Sequence, residues 1–141
     1  MAKTFATVLG IAFLLVGLLG FVAPHLLGAH LSPVHNLVHI VSGVVALYFG
    51  LAGTLSGARL FDLIFGAVYL LLGVIGFLLG SPAVPTLGTP GMAADTRLFR
   101  LIPGALELGT ADHIIHILLG LVFLIGGLVT KASITAAPER T

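Results

Sequence analysis

Six histidines stand in a chain of 141 residues that holds only five Asp+Glu and six Lys+Arg. Four of them fall in two short motifs, His35-Asn36-Leu37-Val38-His39 and Asp112-His113-Ile114-Ile115-His116. The i,i+4 pair His35 and His39 and the i,i+3 pair His113 and His116 each share a helix face. Ring nitrogens so placed can hold one borderline transition metal such as Zn or Cu, with His39 and His116 as core ligands and His35 and His113 as additional ones. Asp112, four residues before His116, can serve as a ligand or as an outer acceptor that fixes a ring tautomer. With Asn36 it can also cap the positive end of a helix. His25 and His30 complete the set a few residues upstream. There is no cysteine, which excludes disulfides, thiolate metal sites, iron–sulfur clusters and covalently attached c-type haem.

The elements that position these side chains are written in the composition. The chain is 58 % hydrophobic and 8 % charged, with a mean hydropathy of +1.21, against roughly 25 % charge in an average globular domain. A helix needs about 20 apolar residues to cross a bilayer, and four such stretches stand out, at about 5–23, 35–55, 60–79 and 113–130. In lipid each backbone polar group must be satisfied within its own segment, so the stretches are helices. Ser32-Pro33 reads as an N-cap with Pro at N1 opening the second, and Ser56-Gly57 as the turn before the third. The first stretch is expected to stay as a span and not to be cleaved as a signal peptide. Residues 80–112 form a long connection, in which Leu98-Phe99-Arg100-Leu101-Ile102-Pro103 is apolar but too short to span. It is expected to be an interfacial anchor or a lid, with Phe99 and Ile102 on one side of a helical turn.

Lys3, Arg59, Lys131 and Arg140 fall on one side of the four-span arrangement, and Arg97 and Arg100 on the other. By the positive-inside rule both termini are cytoplasmic, and the long connection with all six histidines is extracytoplasmic. The small net charge of +1, without a basic run, argues against nucleic-acid binding. The lipid bilayer is the partner the composition requires; a homo-oligomer or a place in a larger membrane complex stays open.

The chain also carries an internal repeat. Shifted by 56 positions, span one lies on span three, aligning Gly10/Gly66, Gly17/Gly73, Gly20/Gly76 and Phe21/Phe77. Shifted by 77, span two lies on span four, aligning His39/His116, Gly43/Gly120, Leu47/Leu124 and Gly50/Gly127. Repeat one covers about 5–55 and repeat two about 61–130. Two spans per repeat give both the same direction through the membrane, a parallel duplication and not an inverted one. The glycine columns let helices approach closely, as lipid-embedded helices require. The predicted fold class is all-α, an integral membrane antiparallel four-helix bundle built from two duplicated helical hairpins, in a single domain.

The two His motifs followed by Gly43 and Gly120, with the Gly17-x-x-Gly20-Phe21 and Gly73-x-x-Gly76-Phe77 segments, resemble the duplicated signature of a bacterial membrane family known as domain-of-unknown-function 4383. The resemblance covers nearly the whole chain. It implies four spans and a bacterial cytoplasmic membrane, with Asn where this chain has His113, and it supplies no activity.

Four readings of the cluster follow. The leading one is structural: the polar residues bond across helices and to loop backbone, no cofactor is present, and the chain has a structural or interaction role. The alternative is a cofactor for redox or metal handling, either a metal on the four histidines or a b-type haem between His39 and His116, with Gly43 and Gly120 making room for its ring. A proton path is the fourth, with Ser42, Tyr48 and Tyr69 as candidates to continue it. No enzyme signature supports a catalytic assignment: there is no His-Glu-x-x-His, no phosphate loop and no set of three separated histidine boxes.

Overall fold

The structure, a computed structural model, describes residues 1–87 and 92–131. Arg140, one of the residues weighed for orientation, lies outside them, as do residues 88–91 of the long connection. Four helices dominate: α1 (Ala2–Leu19), α2 (Pro33–Leu47), α3 (Leu55–Leu79) and α4 (Thr110–Val129). With the π-helical turn Tyr48–Ala52 that extends α2, each is long and apolar enough to cross a membrane.

Local chemistry sets the starts that aim the histidines. The Ser32 side chain accepts from the His35 backbone N–H at 3.1 Å, with Pro33 at the first helical position, as its extended backbone and hydroxyl predispose it to do. The break before α3 differs from the sequence expectation. Thr54 is the cap, its hydroxyl accepting from Gly57 N–H at 3.0 Å, so Ser56 and Gly57 belong to the first turn of the helix and Gly53-Thr54 makes the bend.

Burial is inverted relative to a protein in water. Leu15, Val22, Leu78 and Leu128 are exposed, while Ala6, Ala46, Ala58, Asp62 and His113 are completely buried. A rim of large aliphatic side chains around a centre of small and polar ones is what packing in a bilayer produces, because lipid solvates leucine as well as a core does.

The helices pack as two close antiparallel pairs, α1 with α2 and α3 with α4. A Cβ added to Gly10 would lie 3.0 Å from Leu47 N and 3.1 Å from the Gly43 carbonyl; one added to Gly66 would lie 2.7 Å from Leu124 N and 2.9 Å from the Gly120 carbonyl. Likewise Gly17 rests on the Asn36 carbonyl and Ile40, and Gly73 on the His113 carbonyl and Ile117. Gly50 meets Thr7 and the Lys3 carbonyl; Gly127 meets Leu63 and the Arg59 carbonyl. Between the pairs lies an aromatic centre in which Phe13 stacks near Phe123 (ring centroids 6.1 Å apart) and Tyr69 (5.2 Å), with Phe61 and Phe65 below.

One end of the helices carries a cap that the all-α expectation did not contain. Strands β1 (Ser81–Ala83), β2 (Asp95–Ile102) and β3 (Leu106–Leu108) form an antiparallel sheet in the order β1-β2-β3. The apolar segment 98–102, expected as a helical turn, is therefore strand: Phe99 pairs with Leu108 and Ile102 with Leu106. Its partners lie at a distance in sequence or beyond a turn at Gly104, whose φ of +76° suits glycine. Segment 98–102 alone shows no period that would betray a strand. Glu107 ties the cap together, accepting from Thr86 N–H (2.6 Å), the Thr86 hydroxyl (2.7 Å), Gly104 N–H (3.1 Å) and Arg100 Nε (3.1 Å). The Ser32 hydroxyl donates to the Ala105 carbonyl at 2.5 Å and so pins the sheet to the start of α2.

Candidate functional site

Just beneath the cap, His35 and His39 from α2 and His116 from α4 converge. Each offers a ring nitrogen, and these atoms all lie within 4.8 Å of one another. The three residues are 3 %, 6 % and 3 % exposed, so this is an interior site. Ring centroids are 4.4 Å apart for His35 and His39, and 6.0 Å for His35 and His116. The floor is aromatic: Phe13 lies 5.5 Å from His39 and Tyr69 5.3 Å from His116, centroid to centroid.

Hydrogen bonding decides how these rings face. His35 Nδ1 lies 2.9 Å from the His30 carbonyl, and a carbonyl only accepts, so Nδ1 carries the proton and Nε2 keeps a lone pair. That is the arrangement in which a backbone acceptor orients a metal-binding imidazole. Asp112 stands behind the same ring, its Oδ1 4.0 Å from His35 Nδ1. Its Oδ2 accepts from the backbone N–H of Gly109 (2.7 Å) and of His30 (3.0 Å), capping α4 and tying the 24–32 loop to it. His39 Nδ1 and His116 Nδ1 are buried without a hydrogen-bond partner among the described residues.

His113 does not join the group. Its Nε2 donates to the Arg97 carbonyl on β2 at 2.7 Å, and its ring packs edge-on to Phe77 and over Gly76. Asn36 occupies the matching position on the other pair, its side chain against Gly20. Thus, of the four histidines expected as ligands, three meet and the fourth fastens the sheet to α4. The physical reason is rotational: positions i and i+3 on a helix point about 60° apart, so the spacing of His113 and His116 does not by itself make them converge.

The room that Gly43 and Gly120 were expected to make for a haem ring is taken. A Cβ on Gly43 would lie 2.9 Å from the Gly10 carbonyl and Leu14 N, and one on Gly120 2.8 Å from the Gly66 carbonyl and Leu70 Cα. These glycines bring backbones together and open no slot. The proton path also stops short: the Tyr69 hydroxyl reaches Ser42 Oγ at 3.4 Å, Tyr48 faces outward, and the aromatic centre follows. Near the far end lies Asp62, which the sequence reading passed over. It is completely buried, with neither carboxyl oxygen hydrogen-bonded among the described residues. Its signal was plain, as it is the single acid in the third apolar stretch.

The family model described as a domain of unknown function (DUF4383) matches residues 3–129. The chain belongs to that family. No curated protein and no solved structure matches it. In this DUF4383 protein the matched region contains all four helices, the cap and the three converging histidines.

The cap of the DUF4383 chain has its own electrostatics. Burial pushes the Asp95 carboxyl up, but bonds from the Thr110 hydroxyl (2.6 Å) and the backbone N–H groups of Arg97 (2.9 Å) and Thr110 (3.0 Å), with His30 at 3.3 Å, outweigh it and hold Asp95 below its ordinary value. At Glu107, burial is likewise outweighed, by Thr86, Gly104 and Arg100. Groups with depressed folded-state values contribute stability that is complete above their ordinary values, 3.8 and 4.5, and is lost as pH falls through the lower folded ones. Protease sensitivity of residues 81–108 is therefore expected to rise as pH drops below about 4, and Asp95→Asn with Glu107→Gln should flatten the profile. Equal protection of the cap at neutral and acid pH would contradict the assignment.

Proposed function

We propose that this chain is a metal-binding protein of the bacterial cytoplasmic membrane that holds one Zn(II) or Cu(II) ion on His35, His39 and His116, near the extracytoplasmic face. One observation carries the reading: three buried imidazoles from two helices converge, each bringing a ring nitrogen within 4.8 Å of the others. Buried polar atoms are ordinarily satisfied; His113 leaves its Nδ1 unpaired too but spends its Nε2 on the Arg97 carbonyl, and its ring lies outside the converging group. An all-imidazole set without thiolate or thioether suits Zn(II) or Cu(II) far better than Mg(II) or Ca(II). Three protein ligands also leave a fourth position for water or an exchanging ligand.

Both termini are cytoplasmic in this reading. Lys3, Arg59 and Lys131 belong to the end opposite the cap, and Arg97 and Arg100 to the cap, so the larger number of Lys and Arg falls on the side of the termini. The matched glycine contacts of the two pairs support an origin in two duplicated hairpins forming one four-helix bundle. Two ligands come from the first hairpin and one from the second, so the ion would clamp the halves together.

The test is direct. Full-length protein in detergent, stripped with a chelator and reloaded with Zn(II), Cu(II) or Co(II), should retain one ion per chain by elemental analysis, with visible Co(II) bands in a nitrogen environment. His113→Ala should behave alike. Failure to retain any of the three metals stoichiometrically would overturn the reading and leave the histidines as a structural cap.

A further inference from the structure

The three imidazoles are almost fully buried, so an ion must reach them through the protein. From below the way is filled by Phe13, Tyr69 and Phe123. Above them, toward the cap, there is space. A cleft of about 100 Å³, lined in part by His25, His30, Ser32, Leu87 and Glu107, lies between the 24–33 segment and the cap. That volume accommodates several waters or a partly hydrated ion.

Two histidines not used by the buried site stand here, their ring centroids 6.1 Å apart and nearly perpendicular. His30 Nε2 lies 3.3 Å from Asp95 Oδ2, and an ionised carboxylate only accepts, so Nε2 donates and Nδ1 is the nitrogen left for a ligand. That Nδ1 has no hydrogen-bond partner among the described residues. The same residue touches the buried site through its backbone, its carbonyl accepting from His35 Nδ1 and its N–H donating to Asp112. His30 is thus a single residue with its imidazole at the cleft and its peptide against the supports of the inner ligands.

We infer that His25 and His30 form an outer, weaker site for the same class of divalent transition metal, and that this cleft is the port through which the ion passes to His35, His39 and His116. The inference rests on the metal-binding reading above. Ligand number gives the direction: two imidazoles capture and three retain. Glu107, paired with Arg100, lines the cleft and Asp95 stands against His30; such carboxylates favour a cation, as negative clefts raise the capture rate of positive ligands.

The experiment is stopped-flow loading of the chelator-stripped full chain in lipid nanodiscs with Co(II), followed through the absorbance of the inner site. His25→Ala and His30→Gln, the latter keeping a donor for Asp95, should each slow the second-order loading rate about tenfold, within the range electrostatic and local-concentration effects reach. Final stoichiometry and spectrum should match the wild type. Loading at the wild-type rate in both variants would overturn the port, as would a His25→Ala protein whose inner site no longer fills at equilibrium. A wild-type protein that binds no Co(II) would overturn the metal reading itself.

Discussion

His116→Ala is expected to weaken Zn(II) or Co(II) binding by at least about 100-fold, the upper end of what removal of even an outer partner costs a metal site. His116 is the one ligand that α4 contributes, and without it two imidazoles on a single helix remain, with nothing to close the other side. The effect extends to stability. An ion that binds only the folded state adds about 4 kcal/mol at a thousandfold excess over its dissociation constant. Wild-type protein should therefore melt at a distinctly higher temperature with Zn(II) than without, and in His116→Ala that rise should shrink to about a third or less. His113→Ala separates ligation from packing: it loses the bond to Arg97 and should melt lower, yet keep the metal-dependent increment. Equal increments in His116→Ala and wild type would remove His116 from the site.

The second large effect is expected at Gly120. A Cβ there already meets the Gly66 carbonyl and Leu70 Cα at 2.8 Å, and these are backbone atoms that cannot rotate aside. Gly120→Leu must push α3 and α4 apart, a kind of overpacking that costs about 1–3 kcal/mol and occasionally more. His116 lies one turn away on the same helix, so separation also carries its ring from His35 and His39. Reduced thermal stability and loss of metal retention should appear together. Gly43→Leu should repeat the result on the other pair, where the Gly10 carbonyl stands 2.9 Å from the added carbon. Leu118→Ala, on an exposed position of α4, should do neither. A Gly120→Leu protein as stable as the wild type would mean that the helices are not in contact at this seam.

Both expectations depend on features of unequal legibility. The apolar stretches, Ser32-Pro33 and the glycine columns can be read along the chain because each acts over one to four turns. The cap is not legible in the same way, because residues 98–102 become a strand only through β1 and β3, and β1 precedes them by more than ten residues. Asp62 carried a clear signal in its composition, but its lack of partners depends on what packs around it. The two glycines expected beside a haem ring are a related case: Gly43 and Gly120 announce a close approach without saying to what, and it is α1 and α3 that fill the space.

The sequence by itself determined the bilayer as solvent, four helices and the end of them at which the histidines gather, because apolar length, capping chemistry and charge placement are local quantities. Which imidazoles meet was decided only by tertiary structure. Ring direction depends on how each helix is rotated against its neighbour, and that rotation is set by glycine-to-backbone contacts between different helices, distant in sequence. His35 was thereby turned toward His39 and His116, and His113 toward the sheet.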